Sequence, residues 1–473
     1  MEELRNDTPR PINPRRRKRS KMKIFKEAYL PVIIAAVALI LIVVFIVGSI
    51  SRATQKSKQD KVNEDTTASS IAAETVRLEA EMHDLIARSE EIAKTYDYQA
   101  AIDLLNTFSG DISLFPTLNN KILEYEAAQR NLVAWDDPSK VVNLSFQLLI
   151  ADPARAFTNR EWGNNLNRNF VTTEEFSKML QQLYENGYIL VDFDDIIATD
   201  ATGNGTAVYT AKTLYLPKGK KPLILTQTNV NYNNYLIDSD GDKKPDAMGC
   251  GFASKLLWDG EKFTCEMVDA SGNTVTGDYD LVPILEKFIA SHPSFSYQGA
   301  RAVLALTGYN GLFGHRTQTT MFGEDAQQKA IDDAKAVADA LQNKGYKLAF
   351  YTYENISYKD STFNQFQNDL NKWIAEAVPI LGKLDIMVFA QLDDISGQGA
   401  YTGDKFNALQ NEGFRYYIGF CDDGKPWSNV LRDYFRQGRI MVTGSNLAYH
   451  SDWFTALFDP SSVLDGSRGA IPK

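Results

Sequence analysis

Residues 223–232 read LILTQTNVNY. An apolar run that ends in polar residues is typical of a buried parallel strand that brings side chains to the mouth of an α/β barrel. The catalytic strands of such barrels often carry acids or histidines, and this stretch contains neither. It therefore predicts a barrel strand whose end presents only neutral polar side chains.

Short apolar runs alternate with helical segments from Val141 onward, which predicts a parallel sheet with crossover helices. A capping box from Thr172 to Glu175 marks the start of one such helix. We expect an α/β fold, a distorted (β/α) barrel over residues 140–473, with a hairpin insertion near 236–277 and its site at the carboxyl ends of the strands. The candidate strands are Val141 to Phe146, Tyr188 to Phe193, Leu223 to Leu225, Arg301 to Leu306, Lys347 to Tyr351, Ile386 to Phe389, Tyr416 to Phe420 and Ile440 to Val442.

Charge is unevenly distributed along the 473 residues. Residues 1–28 contain ten Lys and Arg against four Asp and Glu, so this tail carries +6 of a formal net charge of −10, and the rest carries −16. Binding to nucleic acid requires clustered Lys and Arg to neutralise phosphates. The acidic body therefore argues against a nucleic-acid partner.

Residues 29–50 read YLPVIIAAVALILIVVFIVGSI and contain no charged side chain. As a helix, this stretch is long enough to cross a hydrocarbon core of about 30 Å. Lys and Arg are denser before it than after it, which predicts a cytoplasmic basic tail and an extracellular body on a single-pass cell-membrane protein. A cleaved signal peptide is the alternative, but the apolar run is too long and no small-residue cleavage site clearly follows, which favours an uncleaved signal anchor.

Residues 51–70 are polar and predict a flexible linker, and residues 71–139 predict a small α-helical stalk. Apolar residues recur there on two seven-residue rows that form one stripe of a helix. These rows are Ile71, Leu78, Leu85 and Ile92, with Met82 and Tyr96 beside them. Self-association through this stripe is a further possibility.

The order of landmarks resembles that of the polysaccharide deacetylases of carbohydrate esterase family 4. The stretches that carry the resemblance are FVTTEEFSKMLQQLYENGYILVDFDDI (170–196), LPKGKKPLILTQTNVNY (216–232) and NKGYKLAFYTYEN (343–355). The resemblance covers roughly residues 141–465. It implies a distorted β/α barrel and metal-assisted removal of N-acetyl groups from glycans.

The same resemblance implies that the catalytic groups have been replaced. The family's base position falls on Thr228, one metal-ligand position on Asn229, and the two imidazole positions on Tyr351 and Asn355. Loss of a general base alone costs about 10² to 10⁴ in rate, and neutral side chains are poor ligands for a divalent ion. We therefore expect no catalytic residues and no catalytic metal cofactor at these degenerate positions.

A rebuilt metal site is the alternative to the loss of catalysis. His315 follows one predicted strand, and Asp393 and Asp394 follow another. If these three side chains converged, the chain would be an active carbohydrate hydrolase that removes N-acetyl groups.

The stretch DSDGDKKPD (238–246) has the alternating acids and central glycine of calcium-binding loops. The candidate calcium ligands are Asp238, Asp240, Asp242 and Asp246. The alternative is a solvated acidic turn, since Lys243 and Lys244 partly neutralise it, and Gly249 occupies the position of the usual twelfth-position Glu.

Aromatic side chains cluster where the barrel mouth is expected, namely Tyr232, Tyr235, Tyr309, Tyr351, Tyr353 and Tyr358. Tyrosine rings pack against sugar C–H groups and also pack within barrel loops. The candidate glycan-binding residues are Tyr232, Tyr309, Tyr351 and Tyr353, with the amide of Asn229.

The cysteines number only three, so the chain is not a disulfide scaffold. Cys250 and Cys265 are close enough in sequence to pair across a hairpin, and free buried thiols are the alternative.

Together these patterns predict a membrane-anchored, extracytoplasmic, deacetylase-like protein of a Gram-positive cell envelope. We expect it to be non-catalytic and to bind or scaffold an envelope glycan such as peptidoglycan. The alternatives are the active hydrolase above and a stalk that recruits an envelope partner, with the barrel as a spacer.

Overall fold

A computed structural model of the chain describes residues 35–42, 58–135, 137–201, 207–318, 323–397 and 399–473. Residues 35–42 are helical. A search of the described residues finds no helix with both the length and the apolar character needed to span a membrane. The rest of the predicted span 29–50, the basic tail 1–28 and the first part of the predicted linker, 51–57, lie outside the described residues.

The described residues divide into a helical unit, which runs to Ala93 and from Asp97 to Arg130, and a barrel unit of Lys94–Tyr96 and Asn131–Lys473. Besides residues 35–42, the described part of the helical unit contains the α-helices α1 (Lys58–Ala93), α2 (Tyr98–Leu105) and α3 (Pro116–Arg130). Residues 58–70 of the predicted linker are therefore helical, as the first part of the long helix α1.

The core of the helical unit uses the predicted apolar rows. Leu78, Met82 and Leu85 of α1 are buried against Leu105 of α2 and Leu118 of α3. The predicted stalk continued to residue 139, whereas the helical unit ends at Arg130. Residues 133–135 beyond it form a short strand of the barrel unit, which pairs with Leu214–Leu216.

The barrel unit contains sixteen strands in its described residues. They are β1 (Val133–Trp135), β2 (Val142–Phe146), β3 (Tyr188–Leu190), β4 (Ile197–Ala201), β5 (Ala207–Ala211), β6 (Leu214–Leu216), β7 (Lys221–Thr228), β8 (Lys255–Trp258), β9 (Phe263–Val268), β10 (Thr274–Gly277), β11 (Val303–Leu306), β12 (Lys347–Phe350), β13 (Ile386–Val388), β14 (Tyr416–Phe420), β15 (Ser428–Val430) and β16 (Phe435–Met441).

Twelve α-helices of the barrel unit are described. They are α4 (Pro153–Thr158), α5 (Gly163–Asn169), α6 (Thr173–Glu185), α7 (Phe193–Ile196), α8 (Asn234–Ile237), α9 (Leu281–Ser291), α10 (Glu324–Lys344), α11 (Phe363–Glu376), α12 (Val378–Leu381), α13 (Asp404–Glu412), α14 (Gly444–Tyr449) and α15 (Pro460–Val463). The predicted capping box is present on α6, where Thr172 and Glu175 exchange hydrogen bonds with each other's backbone N–H.

Seven parallel strands close into a barrel in the order β2, β7, β11, β12, β13, β14, β16 and back to β2. The predicted strand that begins at Tyr188 lies outside this ring. As β3 it pairs with Lys221–Leu223 of β7, whereas β11 pairs with Thr226–Thr228 on the same edge. One long strand thus serves two neighbours in succession.

Side chains alternate between two buried layers. Residues such as Ile224, Val388 and Ile418 face the barrel interior, and their neighbours along each strand pack against the helices. The interior also holds a polar chain in which Thr226 Oγ1 donates to Asn143 Oδ1 (2.8 Å) and Asn143 Nδ2 donates to Gln437 Oε1 (3.1 Å). These partners satisfy buried polar groups that would otherwise destabilise the core.

The predicted insertion near 236–277 contains short helix α8, the acidic loop and a three-stranded antiparallel sheet in the order β10, β9, β8. It extends from the carboxyl end of β7. Its position matters because loops at this end of a parallel barrel surround the site.

Candidate site at the carboxyl rim of the barrel

We call the loops that follow the carboxyl ends of the seven barrel strands the carboxyl rim. Thr228 ends β7, Asn229 follows it, and Tyr351 and Asn355 follow β12. Strands β7 and β12 flank β11 on its two sides, so the structure brings all four degenerate motif positions to one part of the rim.

Left-handed backbone conformations concentrate at this rim. Eleven non-glycine residues of the described chain have positive φ, and eight of them lie in the loops after β7, β11, β12 and β13. The eight are Asn229, Tyr232, Asn310, Phe313, Thr352, Asn355, Gln391 and Leu392. Such conformations are costly for side chains with a Cβ, and they cluster where a protein holds a ligand-binding surface in shape.

Buried polar atoms without a hydrogen-bond partner concentrate at the same rim. Within the described chain they include Ser145 Oγ, Asn229 Oδ1, Thr352 Oγ1, Asn355 Oδ1 and Arg439 Nε. Each unsatisfied buried group costs about 1–3 kcal/mol, and folded proteins tolerate few of them. Several at one end of a barrel indicate a place where polar molecules from outside complete the hydrogen bonding.

Two buried carboxylates hold the rim loops in place. Asp280 accepts hydrogen bonds from the Tyr232 hydroxyl (2.7 Å) and Gln227 Nε2 (2.7 Å), which fixes the loop after β7. Asp369 accepts from the backbone N–H groups of Tyr353 and Glu354 (2.7 Å each), which fixes the loop after β12. Burial raises the pKa of both carboxyls.

Asn231 holds the loop after β11 in place through hydrogen bonds to its backbone. Its Nδ2 donates to the carbonyl oxygens of Thr307 (2.5 Å) and Gly311 (2.8 Å), and its Oδ1 accepts from Thr307 N–H (3.0 Å). The stretch LILTQTNVNY therefore shapes the rim through Gln227, Asn231 and Tyr232.

The degenerate positions do not fit the metal that the family resemblance implies. The Thr228 hydroxyl donates to the Phe146 carbonyl (3.3 Å), Asn229 offers a neutral amide oxygen, and Tyr351 lies with its ring centroid 5.8 Å from the Arg439 guanidinium. A divalent ion requires carboxylate or imidazole ligands, and a neighbouring guanidinium repels it.

The alternative metal site of His315, Asp393 and Asp394 is not assembled. His315 is buried, its Nε2–H donates to the Leu256 carbonyl (3.0 Å), and burial lowers the pKa of its imidazole. Asp394 binds Arg436 (2.9 Å), and Asp393 lies 3.5 Å from Lys359. The three side chains make separate contacts, so they do not converge on one metal ion as the alternative expected.

Three of the four predicted calcium ligands lie together. Ligand atoms of Asp238, Asp240 and Asp246 lie within 4.8 Å of one another, and within the described residues no other set of three or more His, Cys, Asp and Glu side chains is grouped in this way. Asp242 stays outside the group because its carboxylate pairs with Lys244 (3.2 Å). Calcium binding at this loop stays a prediction, now with three carboxylates instead of four.

Most of the candidate glycan-binding tyrosines are buried. Tyr232, Tyr351 and Tyr353 are at most about 5% exposed, because their rings fill the space between the strands and the rim loops. Tyr353 also bonds to Glu376 on α11, and burial raises the pKa of its hydroxyl. Tyr309 is 51% exposed and remains accessible to a ligand.

A cleft of about 520 Å³ opens between the loops after β7 and β11. Tyr309 lies in its wall together with Tyr235, whose side chain is 46% exposed and whose ring centroid lies 5.5 Å from that of Trp162. Asn234 lines the same cleft, and its Oδ1 has no hydrogen-bond partner. The remaining lining residues are Asp238, Gly241, Lys243, Asn310, Arg316 and Gln318.

Comparison with known proteins finds a similarity in structure but none in sequence. No family model and no curated protein sequence matches the chain. Among solved structures, the chain is similar to the Streptococcus pyogenes deacetylase PplD in complex with acetate, with a TM-score of 0.33 and 10% sequence identity. The match covers 66% of this chain and 95% of that chain.

Sequence reasoning missed Asn234, Arg316 and Arg439. Arg439 gave no signal, because a strand that reads FRQGRIM looks half exposed, whereas every residue of β16 is buried. Arg316 follows the candidate ligand His315, and its position in a predicted rim loop was the available signal. The cysteines Cys250, Cys265 and Cys421 are free and buried, so the first two do not form the disulfide that their spacing allowed.

Proposed function

We propose that this chain is a divergent, non-catalytic relative of the polysaccharide deacetylases that binds a cell-envelope glycan at the carboxyl rim. The observation that carries the proposal is the cleft of about 520 Å³, whose lining combines two exposed tyrosines with three amide side chains. A cleft of this size is sufficient to hold two or three sugar rings.

The chemistry of the cleft suits a carbohydrate. The faces of Tyr235 and Tyr309 offer apolar contact to sugar C–H groups, and the amide side chains of Asn234, Asn310 and Gln318 line the same cleft.

The absence of catalysis follows from the groups at the motif positions. Thr228, Asn229, Tyr351 and Asn355 contain neither a carboxylate nor an imidazole, so they offer no general base for water activation. Together with the uncharged apolar stretch 29–50 and the basic tail before it, this supports a surface-anchored binding protein of the cell envelope.

Calorimetric titration of the full-length protein in detergent tests the binding. We expect chitin oligosaccharides or soluble peptidoglycan fragments to bind, and Tyr309→Ala and Tyr235→Ala each to weaken the affinity about tenfold through lost ring contact. The matched control is Tyr215→Ala, because Tyr215 is 52% exposed and lies on β6, away from the cleft lining. No binding of either glycan by a folded protein would reject the proposal.

Acetate release tests the lack of catalysis separately. We expect the full-length protein, incubated with zinc or cobalt and an N-acetylated glycan, to release acetate no faster than a Thr228→Val variant. Release at ordinary enzymatic rates, lost in that variant, would favour the alternative of an active hydrolase.

A further inference from the structure

The cleft contains an arginine that no carboxylate neutralises. Arg316 Nη1 donates to the carbonyl oxygens of Asn231 (3.3 Å) and Asn310 (2.5 Å), and Nη2 donates to that of Tyr232 (2.8 Å). Within the part of the chain that the structure describes, no carboxylate oxygen lies within 4.0 Å of its guanidinium. Among the described residues, Arg316 Nε donates no hydrogen bond and Nη2 donates one, and the Nε/Nη2 edge of a guanidinium is the edge that can bind a planar anion in a bidentate manner.

Burial lowers the pKa of the Arg316 guanidinium, and no nearby anion raises it again. The pKa of Arg316 falls to about 10 because the side chain is desolvated, and no acid offsets this effect. At neutral pH the guanidinium remains protonated. A desolvated positive charge with free donors gains most from an anionic partner.

A second cation lines the same cleft. Lys243 is exposed, its backbone has φ of 64°, and its ammonium pairs with no carboxylate of the described residues. The one acid in the lining, Asp238, turns both oxygens into its own loop, where they accept from the backbone N–H groups of Asp240, Gly241 and Lys243. The cleft lining therefore carries two cations against one carboxylate, beside two tyrosine faces.

We infer that the cleft recognises an acidic glycan, one whose sugar or polyol units carry a carboxylate or a phosphate. The anionic group binds Arg316 and Lys243, while the ring beside it packs on Tyr235 and Tyr309. This inference rests on the proposed glycan-binding function and adds the charge of the ligand.

The test compares three ligands by calorimetry on the full-length protein in detergent, with a calcium chelator present. They are a neutral chitin oligosaccharide, an oligogalacturonide that supplies carboxylates, and a glycerol phosphate oligomer that supplies phosphates. We expect at least one acidic ligand to bind about tenfold or more tightly than the neutral one, and this preference to shrink as salt is raised. The tighter of the two acidic ligands identifies the anionic group.

Lys243→Gln is the main variant, because the Lys243 side chain is exposed and its ammonium makes no ion pair with the described residues. We expect it to weaken acidic binding about threefold to tenfold and to leave neutral binding unchanged. Lys244→Gln is the matched control, since Lys244 lies in the same loop but not in the cleft lining. Arg316→Lys, which keeps the charge but loses the bidentate edge, should weaken acidic binding more than Lys243→Gln does.

Two outcomes would overturn the inference while leaving the proposed function intact. One is equal binding of neutral and acidic ligands. The other is the same loss of acidic binding from Lys243→Gln and Lys244→Gln. If the folded protein binds none of the three ligands, the proposed function is rejected instead.

Discussion

Arg468 and Glu175 form a bidentate ion pair that is almost completely buried, with side chains 3% and 0% exposed. Arg468 Nε donates to Glu175 Oε1 (2.5 Å) and Nη2 donates to Oε2 (2.7 Å), which ties the C-terminal segment to the start of α6. Removal of one partner leaves the other charge buried and unpaired. We expect Arg468→Met to lower the free energy of unfolding by about 3–5 kcal/mol, measured by urea denaturation.

The control for this prediction is Lys178→Met on the same helix. Lys178 pairs with Glu174 at the surface (2.7 Å), and such exposed pairs contribute little to stability because water and salt screen them. Equal losses for the two variants would contradict the buried-pair argument.

Asp195 gives the protein a specific pH dependence. Burial raises the pKa of this carboxyl to about 7, opposed by a hydrogen bond from Asp192 N–H and the charge of Lys212, and reinforced by the charges of Asp192 and Asp194. Because the folded pKa lies above the unfolded one, stability is highest at low pH and falls as pH rises from about 4 to about 7.

We therefore expect Asp195→Asn to remove this loss. Asn keeps the oxygen that accepts from Asp192 N–H (2.8 Å) but does not ionise. Relative to wild type, the variant should gain roughly 1–2 kcal/mol between pH 4 and 7, after solvent screening is allowed for, when unfolding is followed at several pH values. Parallel stability curves for the two proteins would contradict the prediction.

Individual residues at the site were predictable in position but not in exposure. The motif order in the sequence brought Thr228, Asn229, Tyr351 and Asn355 to one rim because carboxyl ends of parallel strands share an edge. It did not predict that Tyr232 and Tyr353 are buried while Tyr309 is exposed. Exposure depends on which loop covers which ring, and Asp280 and Asp369 fix that through contacts distant in sequence.

Among the elements, the rim loop after β12 carries a backbone cost that can be measured. Thr352 has φ of 60°, a left-handed conformation that costs a residue with a Cβ about 1–2 kcal/mol. We expect Thr352→Gly to be more stable than Thr352→Ala by about 1 kcal/mol, because both lose the hydroxyl and methyl groups but only glycine relieves the clash.

The control uses Thr210, an exposed residue in strand β5 without positive φ. There the order should reverse, with Ala more stable than Gly by about 0.5–1 kcal/mol, because glycine loses more conformational freedom on folding. Thermal or urea unfolding of the four variants measures both differences. If Ala is more stable than Gly at position 352 as well, the rim loop is unstrained.

The barrel elements were largely predictable because each apolar run is long enough to be buried on both faces. The sequence did not predict that the apolar run beginning at Tyr188 forms a strand outside the closed barrel. Whether a strand enters a closed ring depends on its pairing partners, and here β3 and β11 divide one edge of β7 between them. Register of this kind is a property of the assembled sheet rather than of the local sequence.

For the whole molecule, the described residues divide into a helical unit and a barrel unit at Arg130/Asn131, a few residues before the change of sequence pattern at WDDPSK (135–140). The predicted boundary at 139/140 missed β1, which pairs with β6 (Val133 opposite Leu216). A three-residue edge strand is too short for its pattern to be distinguished from a helix end. Long, strongly periodic segments were thus more predictable than short connecting ones.

The predicted membrane topology can be tested with cysteine labelling because the three natural cysteines are free and buried. They should react slowly with a membrane-impermeant maleimide in intact cells, since buried thiols are inaccessible and burial raises the pKa of Cys250 and Cys421 to about 11.

We expect Thr210→Cys, at an exposed position of β5, to be labelled in intact cells, and Ser20→Cys, in the basic tail, to be labelled only after the cells are opened. Deletion of residues 29–50 should move the protein out of the membrane fraction, because no other long uncharged apolar stretch precedes the barrel. Labelling of Ser20→Cys but not Thr210→Cys in intact cells would show the opposite orientation, and it would place the acidic-glycan cleft on the wrong side of the membrane for an envelope ligand.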